Sequence, residues 1–258
     1  MVSAMKRWRR AIISLAGCCA LAVGVATAQP DRQAQGKAAA QPTAEQLIAK
    51  YIRAIGGRAA IEKVRTRVTI GTAEPGADMT ISLTISEKAP DKFLQELDVP
   101  GVGAVNEGFD GKMGWELNPQ QGVQEMTGIA LSARRRNSQF YRWLRMRELF
   151  SELKVSGTEK IGDRDAYVLD ATPHEGYAEK FYFDTKSGIL LRRDYKLDGP
   201  DGMVEFQMFY DDYREVDGIK LPFALRRVGP DNVLILKFTE IKQNVELDDA
   251  KFSKPVAP

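Results

Sequence analysis

From Arg65 to the C-terminus the chain alternates apolar and polar side chains with a period of two, and glycine-containing turns interrupt the alternation at short intervals. That period puts successive side chains on opposite faces of a strand, so the pattern calls for an extended sheet and excludes a helical bundle. Val68, Ile70 and Thr72 share one strand face. Met79, Ile81, Leu83 and Ile85 alternate with Thr80, Ser82, Thr84 and Ser86, and Phe93, Gln95 and Leu97 continue the series. Asp110-Gly111 marks a hairpin between Val105–Phe109 and Met113–Leu117, because both residues accept the positive φ that a tight turn requires. Residues 118–122 (NPQQG) form the next turn.

Ile129 to Phe150 interrupts this pattern. The segment carries Arg134, Arg135, Arg136, Arg142, Arg145 and Arg147 among bulky apolar residues and contains no Gly or Pro, which predicts one long helix or two shorter ones. Strands then resume at about 154–161, 166–171, 178–184, 189–196, 203–215, 220–228 and 233–244. The count is roughly six strands, a helical insertion and about seven more. Turns this regular predict an antiparallel meander, and so many strands in one sheet curl or close. No internal repeat of fixed period is present. Upstream, Thr43 with Gln46 reads as a capping box, Leu47, Ile48, Tyr51, Ile52 and Ile55 fall at helical spacing, and Gly56-Gly57 stops that helix. A short second helix covers about 58–64. The fold class expected is therefore mainly β with helices (α+β): one large curled sheet whose open side is covered by the first helix and the insertion.

The N-terminus has the form of a signal peptide over residues 1–28: basic residues Lys6, Arg7, Arg9 and Arg10, an apolar stretch Ala11–Val25, and a small-x-small site at Ala26-Thr27-Ala28. The apolar stretch is shorter than the ~20 residues that span a bilayer. The expected product begins at Gln29 and is soluble in the periplasm. The competing route is cleavage and acylation at Cys18, within Leu15-Ala16-Gly17-Cys18, which would leave a membrane-anchored lipoprotein. Residues 29–42 read as a flexible linker and 43–258 as a single domain.

Removing the signal also removes both cysteines, Cys18 and Cys19, and leaves one histidine, His174. Disulfides and thiol catalysis are thereby excluded from the exported product. One His without Cys does not supply a zinc ligand set, so no metal and no cofactor are expected. His174 sits between Pro173 and Gly176 in a loop, without an evident nucleophile. Asp211-Asp212 and Asp248-Asp249 are adjacent in sequence, which points their carboxylates apart rather than together. No catalytic residue is expected, and a hydrolase built on Asp and Glu is retained only as a formal class. The full chain has 37 Lys+Arg against 35 Asp+Glu; without the four basic residues of the signal the net charge becomes −2. No nucleic-acid partner follows from such a balance.

Several motifs in order carry a resemblance. They are Phe109-Asp110-Gly111-Lys112 with Trp115; Phe181-Tyr182-Phe183-Asp184 leading to Ser187-Gly188-Ile189-Leu190; the stretch Tyr213 to Pro222 (YREVDGIKLP); and Phe238 to Asn244 with Phe252-Ser253-Lys254-Pro255. Across about Ala60 to Pro255 the chain resembles the LolA/LolB-like family of periplasmic lipoprotein and lipid carriers, including LppX-type lipid carriers. The resemblance implies an unclosed antiparallel β-barrel of about eleven strands with a helical lid over an apolar cavity. It further implies a monomeric, non-enzymatic carrier whose partners are a lipid or an acylated lipoprotein and an inner- or outer-membrane acceptor protein. Cavity wall or lid would be drawn from Trp115, Phe140, Trp143, Leu144, Phe181, Phe183, Phe206, Met208, Leu234 and Leu236. The alternative is an envelope interaction or sensor domain that recognises a protein partner with the same fold.

Overall fold

A computed structural model describes residues 41–76, 78–199 and 202–255; the signal peptide and most of the expected linker lie outside them. Thirteen antiparallel strands form a single sheet. The first group is β1 (Thr66–Gly76), β2 (Met79–Lys88), β3 (Lys92–Val99), β4 (Gly103–Phe109), β5 (Gly114–Asn118) and β6 (Gly122–Glu125). The second is β7 (Phe150–Ile161), β8 (Arg164–Pro173), β9 (Glu179–Asp184), β10 (Leu190–Gly199), β11 (Gly202–Val216), β12 (Ile219–Val228) and β13 (Val233–Gln243). Six strands before the insertion and seven after it is the number the alternation predicts. The resemblance implied about eleven.

The strand order is β6-β5-β4-β3-β2-β1-β13-β12-β11-β10-β9-β8-β7. The chain starts in the middle of the sheet, walks out to one edge at β6, crosses to the other edge at β7 and walks back until β13 pairs with β1. Every neighbour is joined by a short turn except β1 and β13. The turns follow their local chemistry. The Asp110 carboxylate accepts from the backbone N–H groups of Lys112 and Met113, both at 2.8 Å, and Gly111 takes a positive φ.

The inner face of β1 is Arg67, Thr69, Gly71 and Ala73; the set Val68, Ile70 and Thr72 faces outward, and Ile70 is 36% exposed. Gly71 sits at a register shift against β13, where a Cβ would stand 2.1 Å from the Lys237 carbonyl oxygen. Here the closely approaching strands need glycine.

The helices pack on the inner face. α1 (Ala44–Ala54) begins at Thr43 with a full capping box, Gln46 N–H to Thr43 Oγ1 at 3.3 Å and Thr43 N–H to Gln46 Oε1 at 2.9 Å. α2 (Arg58–Lys63) follows the Gly56-Gly57 turn. The insertion is neither one helix nor two: it breaks into α3 (Gly128–Asn137), a 3-10 turn at Arg142–Leu144 and α4 (Met146–Leu149). The breaks let Phe140 N–H bond the Pro90 carbonyl at 2.9 Å and the Tyr141 hydroxyl bond the Val64 carbonyl at 2.8 Å, so tertiary contacts override local helical preference.

The largest core lies between α1, α4 and the inner face of β7–β10, around Leu47, Tyr51, Phe150, Leu169, Phe181 and Phe183. A smaller cluster, Leu83, Phe223, Phe238 and Ile241, lines β2, β12 and β13. A third sits on the outer face, where a 3-10 turn at Asp249–Phe252 lays Phe252 over Leu94 and Trp115.

Candidate functional site

Between the inner face of the sheet and the helices lies a cavity of about 590 Å³. Such a volume falls in the range of small-molecule sites. The division of the molecule is uneven. On the β7–β10 side the aromatic cluster is filled: Tyr51 and Trp143 meet at 4.6 Å between ring centroids, and Trp143 meets Phe181 at 5.3 Å and Phe183 at 5.8 Å. The void left behind Trp143 there is about 10 Å³, at most one water. On the β1–β3 and β11–β13 side the same face stays open.

Pairing across the strands lays out the wall. Tyr210, Leu225, Leu236 and Ala73 stand in one row. Ile241, Thr69, Ile85, Gln95 and Glu107 stand in another, nearer the α2 end. A third row runs Arg193, Met208, Arg227 and Leu234.

The expected site residues separate against this geometry. Phe140, Trp143, Met208 and Leu236 line the cavity. Phe181 and Phe183 share the inner face but are consumed in the filled core. Phe206 shares the face of Met208 but stacks on Tyr195 at 5.6 Å and 26°, with Arg227 5.1 Å from its ring on the cavity side. Leu234 stands opposite Arg227, and neither it nor Leu144 reaches the cavity. Trp115 is on the opposite face of the sheet. It is 2% exposed, and its indole N–H donates to the Phe252 carbonyl at 3.0 Å.

Several arginines of the insertion turn inward to carboxylates on the sheet. Arg134 pairs with Glu107 on β4. Arg136 pairs with Glu179 on β9 at 2.8 Å, and Arg193 of β10 approaches the same carboxylate at 2.7 Å. Asn137 Oδ1 accepts a further 3.0 Å bond from Arg193. α3 is thus pinned to both arms of the sheet. Burial pushes the Glu179 carboxyl up, and the two guanidinium groups outweigh it and hold the pKa below the usual range. Arg142 and Arg227 also line the cavity, and neither has a carboxylate partner among the described residues; Arg142 lies against Trp143, 5.3 Å from its ring. Burial raises the phenol of Tyr51, which Arg142 partly counters.

The groups that the sequence offered for chemistry lie elsewhere. His174 is exposed in the β8–β9 loop. Asp212 pairs with Arg214 on the surface, Asp248 caps the C-terminal 3-10 turn, and Asp249 binds Lys88 and Lys92 at 2.7 and 2.8 Å. Among the described residues no group of three or more His, Cys, Asp or Glu is arranged to hold a metal ion, and no helix is long and apolar enough to cross a membrane.

An inner-face cavity under a helical lid, in a sheet that does not close, can be compared with solved structures. Those similar to this chain over four-fifths of its length include a DUF1329 family protein from Desulfovibrio piger (TM-score 0.58, 16% identity, 83% of this chain and 98% of that one), a LolA superfamily protein from Nitrosomonas europaea (0.56, 13%, 83% and 99%) and a putative outer membrane lipoprotein-sorting protein domain from Vibrio parahaemolyticus (0.56, 14%, 81% and 97%). The fold is LolA-like. At these identities the likeness establishes architecture alone. No protein-family model matches the sequence, and no curated protein matches it significantly.

Proposed function

We propose that the protein is exported to the periplasm and there holds an acylated ligand, a lipid or the lipid-bearing end of a lipoprotein, without transforming it. The observation that carries this reading is the cavity. The apolar part of its wall is built from Ile85, Met208, Leu225, Leu236, Phe238 and Ile241, and its lid includes Phe140 and Trp143. Each methylene moved from water to such a wall contributes about 0.8 kcal/mol. Unbranched Met208 adapts to a flexible chain. The signal-like N-terminus supports export, and cleavage at Cys18 would tether the same carrier instead of freeing it. Likeness to a structure described as a lipoprotein-sorting domain supports the ligand class, and an acceptor in one of the two membranes would complete the transfer.

Delipidated protein is expected to take up a fluorescent long-chain fatty acid at micromolar concentration, with one site per chain. Absence of uptake at that concentration would overturn the reading in favour of protein recognition.

A further inference from the structure

The ten expected wall residues are all uncharged, yet the cavity contains two arginines with no acid partner. The other arginines of the cavity are accounted for. Arg67 faces Glu87 at 3.4 Å, Arg134 faces Glu107, and Arg136 and Arg193 share Glu179. That last trio keeps one net positive charge. Arg227 stands two strands over from Arg193, flanking Met208 on the opposite side.

The surroundings of Arg227 are organised. Arg193 lies 4.8 Å from the Tyr195 ring, Tyr195 stacks on Phe206, and Arg227 lies 5.1 Å from Phe206. An aromatic pair thus lies between two guanidinium groups, one that shares Glu179 with Arg136 and one without a carboxylate partner. The Arg227 Nε is buried and has no hydrogen-bond partner among the described residues. The Tyr195 and Tyr210 side chains line the same part of the cavity. Burial raises the Tyr195 phenol, against a downward pull from Arg227 and Arg193 that reports how close these groups are. A guanidinium that lies over an aromatic ring, has no carboxylate partner and keeps its Nε unpaired is suited to a planar, two-oxygen anion.

We propose that the Arg227 end of the cavity is a carboxylate subsite, and that the ligand is a single-chain amphiphile with a free acid head: its head on Arg227 beside Tyr195, its chain along Leu225, Leu236 and Phe238 toward Ile241. From Leu234 to Ile241 the strand runs about 23 Å at its usual rise per residue, comparable with an extended hexadecanoyl chain. The free acid distinguishes this ligand from a lipoprotein terminus, whose acyl groups are tied up in esters and an amide and bring no charge to the arginine. Two carboxylates of the cavity have no ion-pair partner among the described residues, Glu116 and Asp198, and Glu116 is on β5, across the sheet from β12. Asp198 is engaged by the Tyr177 hydroxyl at 2.5 Å.

The proposal rests on the carrier reading, and the test separates the two. Hexadecanoate, its methyl ester and acetate are titrated into the unmodified protein by calorimetry. The acid is expected to bind about tenfold or more tightly than the ester, as a charge-assisted hydrogen bond implies, and acetate is expected not to bind at millimolar concentration. Arg227→Gln is expected to abolish the acid's advantage over the ester, with Arg227→Lys retaining part of it. Equal binding of acid and ester by the unmodified protein overturns the carboxylate subsite and leaves the carrier standing. Binding of neither long-chain compound overturns both. Acetate binding as tightly as hexadecanoate overturns the amphiphile in favour of a free-anion site.

Discussion

At the scale of single residues, Trp115 shows how a strand pattern conceals its own faces. It follows the Asp110-Gly111 hairpin in a strand whose alternation puts Trp115 and Leu117 on one face and Glu116 on the other, so the pattern marks it as buried without saying under what. The structure puts it beneath Phe252, more than 130 positions away, with Gly108 opposite because a Cβ there would fall 2.3 Å from the indole. Trp115→Ala is therefore expected to cost about 3–5 kcal/mol in chemical denaturation while leaving the fatty-acid Kd of the folded protein within about twofold. A large loss of affinity with unchanged stability would return Trp115 to the site. The arginines illustrate the converse. A run of like charge reads as a solvated face, and only Arg135 and Arg147 of the six are exposed. Arg134 and Arg136 find Glu107 and Glu179, 27 and 43 positions away, and no local pattern announces such partners. Phe140, Trp143, Met208 and Leu236 were visible as bulky apolar residues; that Phe181 and Phe183 would be used up by Tyr51 and Trp143 depended on where α1 landed.

At the scale of elements, α3 is held by charge instead of by an apolar stripe. It has no buried residue, and its contacts with β4, β9 and β10 are ion pairs and hydrogen bonds. Strand boundaries were legible because Gly, Asp and Pro at the turns act locally. The break-up of the insertion was not, since Phe140 and Tyr141 leave the helix to reach Pro90 and Val64. The Glu179 carboxylate is the pin. Its folded pKa is depressed, so the stability it supplies is complete above the unfolded glutamate value of about 4.3 and is lost as pH falls through the lower folded value. Glu179→Gln leaves Arg136 and Arg193 buried without a counter-charge and is expected to cost about 3–5 kcal/mol at neutral pH. The variant should also lose its share of the acid-induced fall in stability below about pH 4. Urea titrations of both proteins between pH 3 and 7 check this; parallel curves would show that Glu179 does not hold the lid.

At the scale of the whole molecule, the topology joins the lid to the opening. The two edge strands, β6 and β7, are consecutive in sequence, and the segment between them is the insertion. The sheet would be a closed meander if that connection were a short turn; lengthened, it keeps the edges apart and covers the gap with its own helices. The pairing of β1 with β13 closes the remaining seam across about 170 residues of sequence, for example Arg67 with Gln243. One side of this frame is packed and the other is left open, so substitutions should separate by side. Leu169, fully buried beneath α1, is expected to cost about 2–5 kcal/mol on truncation to Ala and to leave ligand affinity intact. Leu236 faces the void, and its truncation should cost about 1 kcal/mol in the empty protein because little packing is lost. The same change should weaken fatty-acid binding severalfold. It should also shrink the stabilisation that saturating ligand confers, about 2.7 kcal/mol at a hundred times Kd for the parent protein. Melting curves with and without hexadecanoate read both quantities at once. If Leu169→Ala and Leu236→Ala shift the ligand-dependent increment equally, the two sides are one continuous core and the ligand does not occupy the open one.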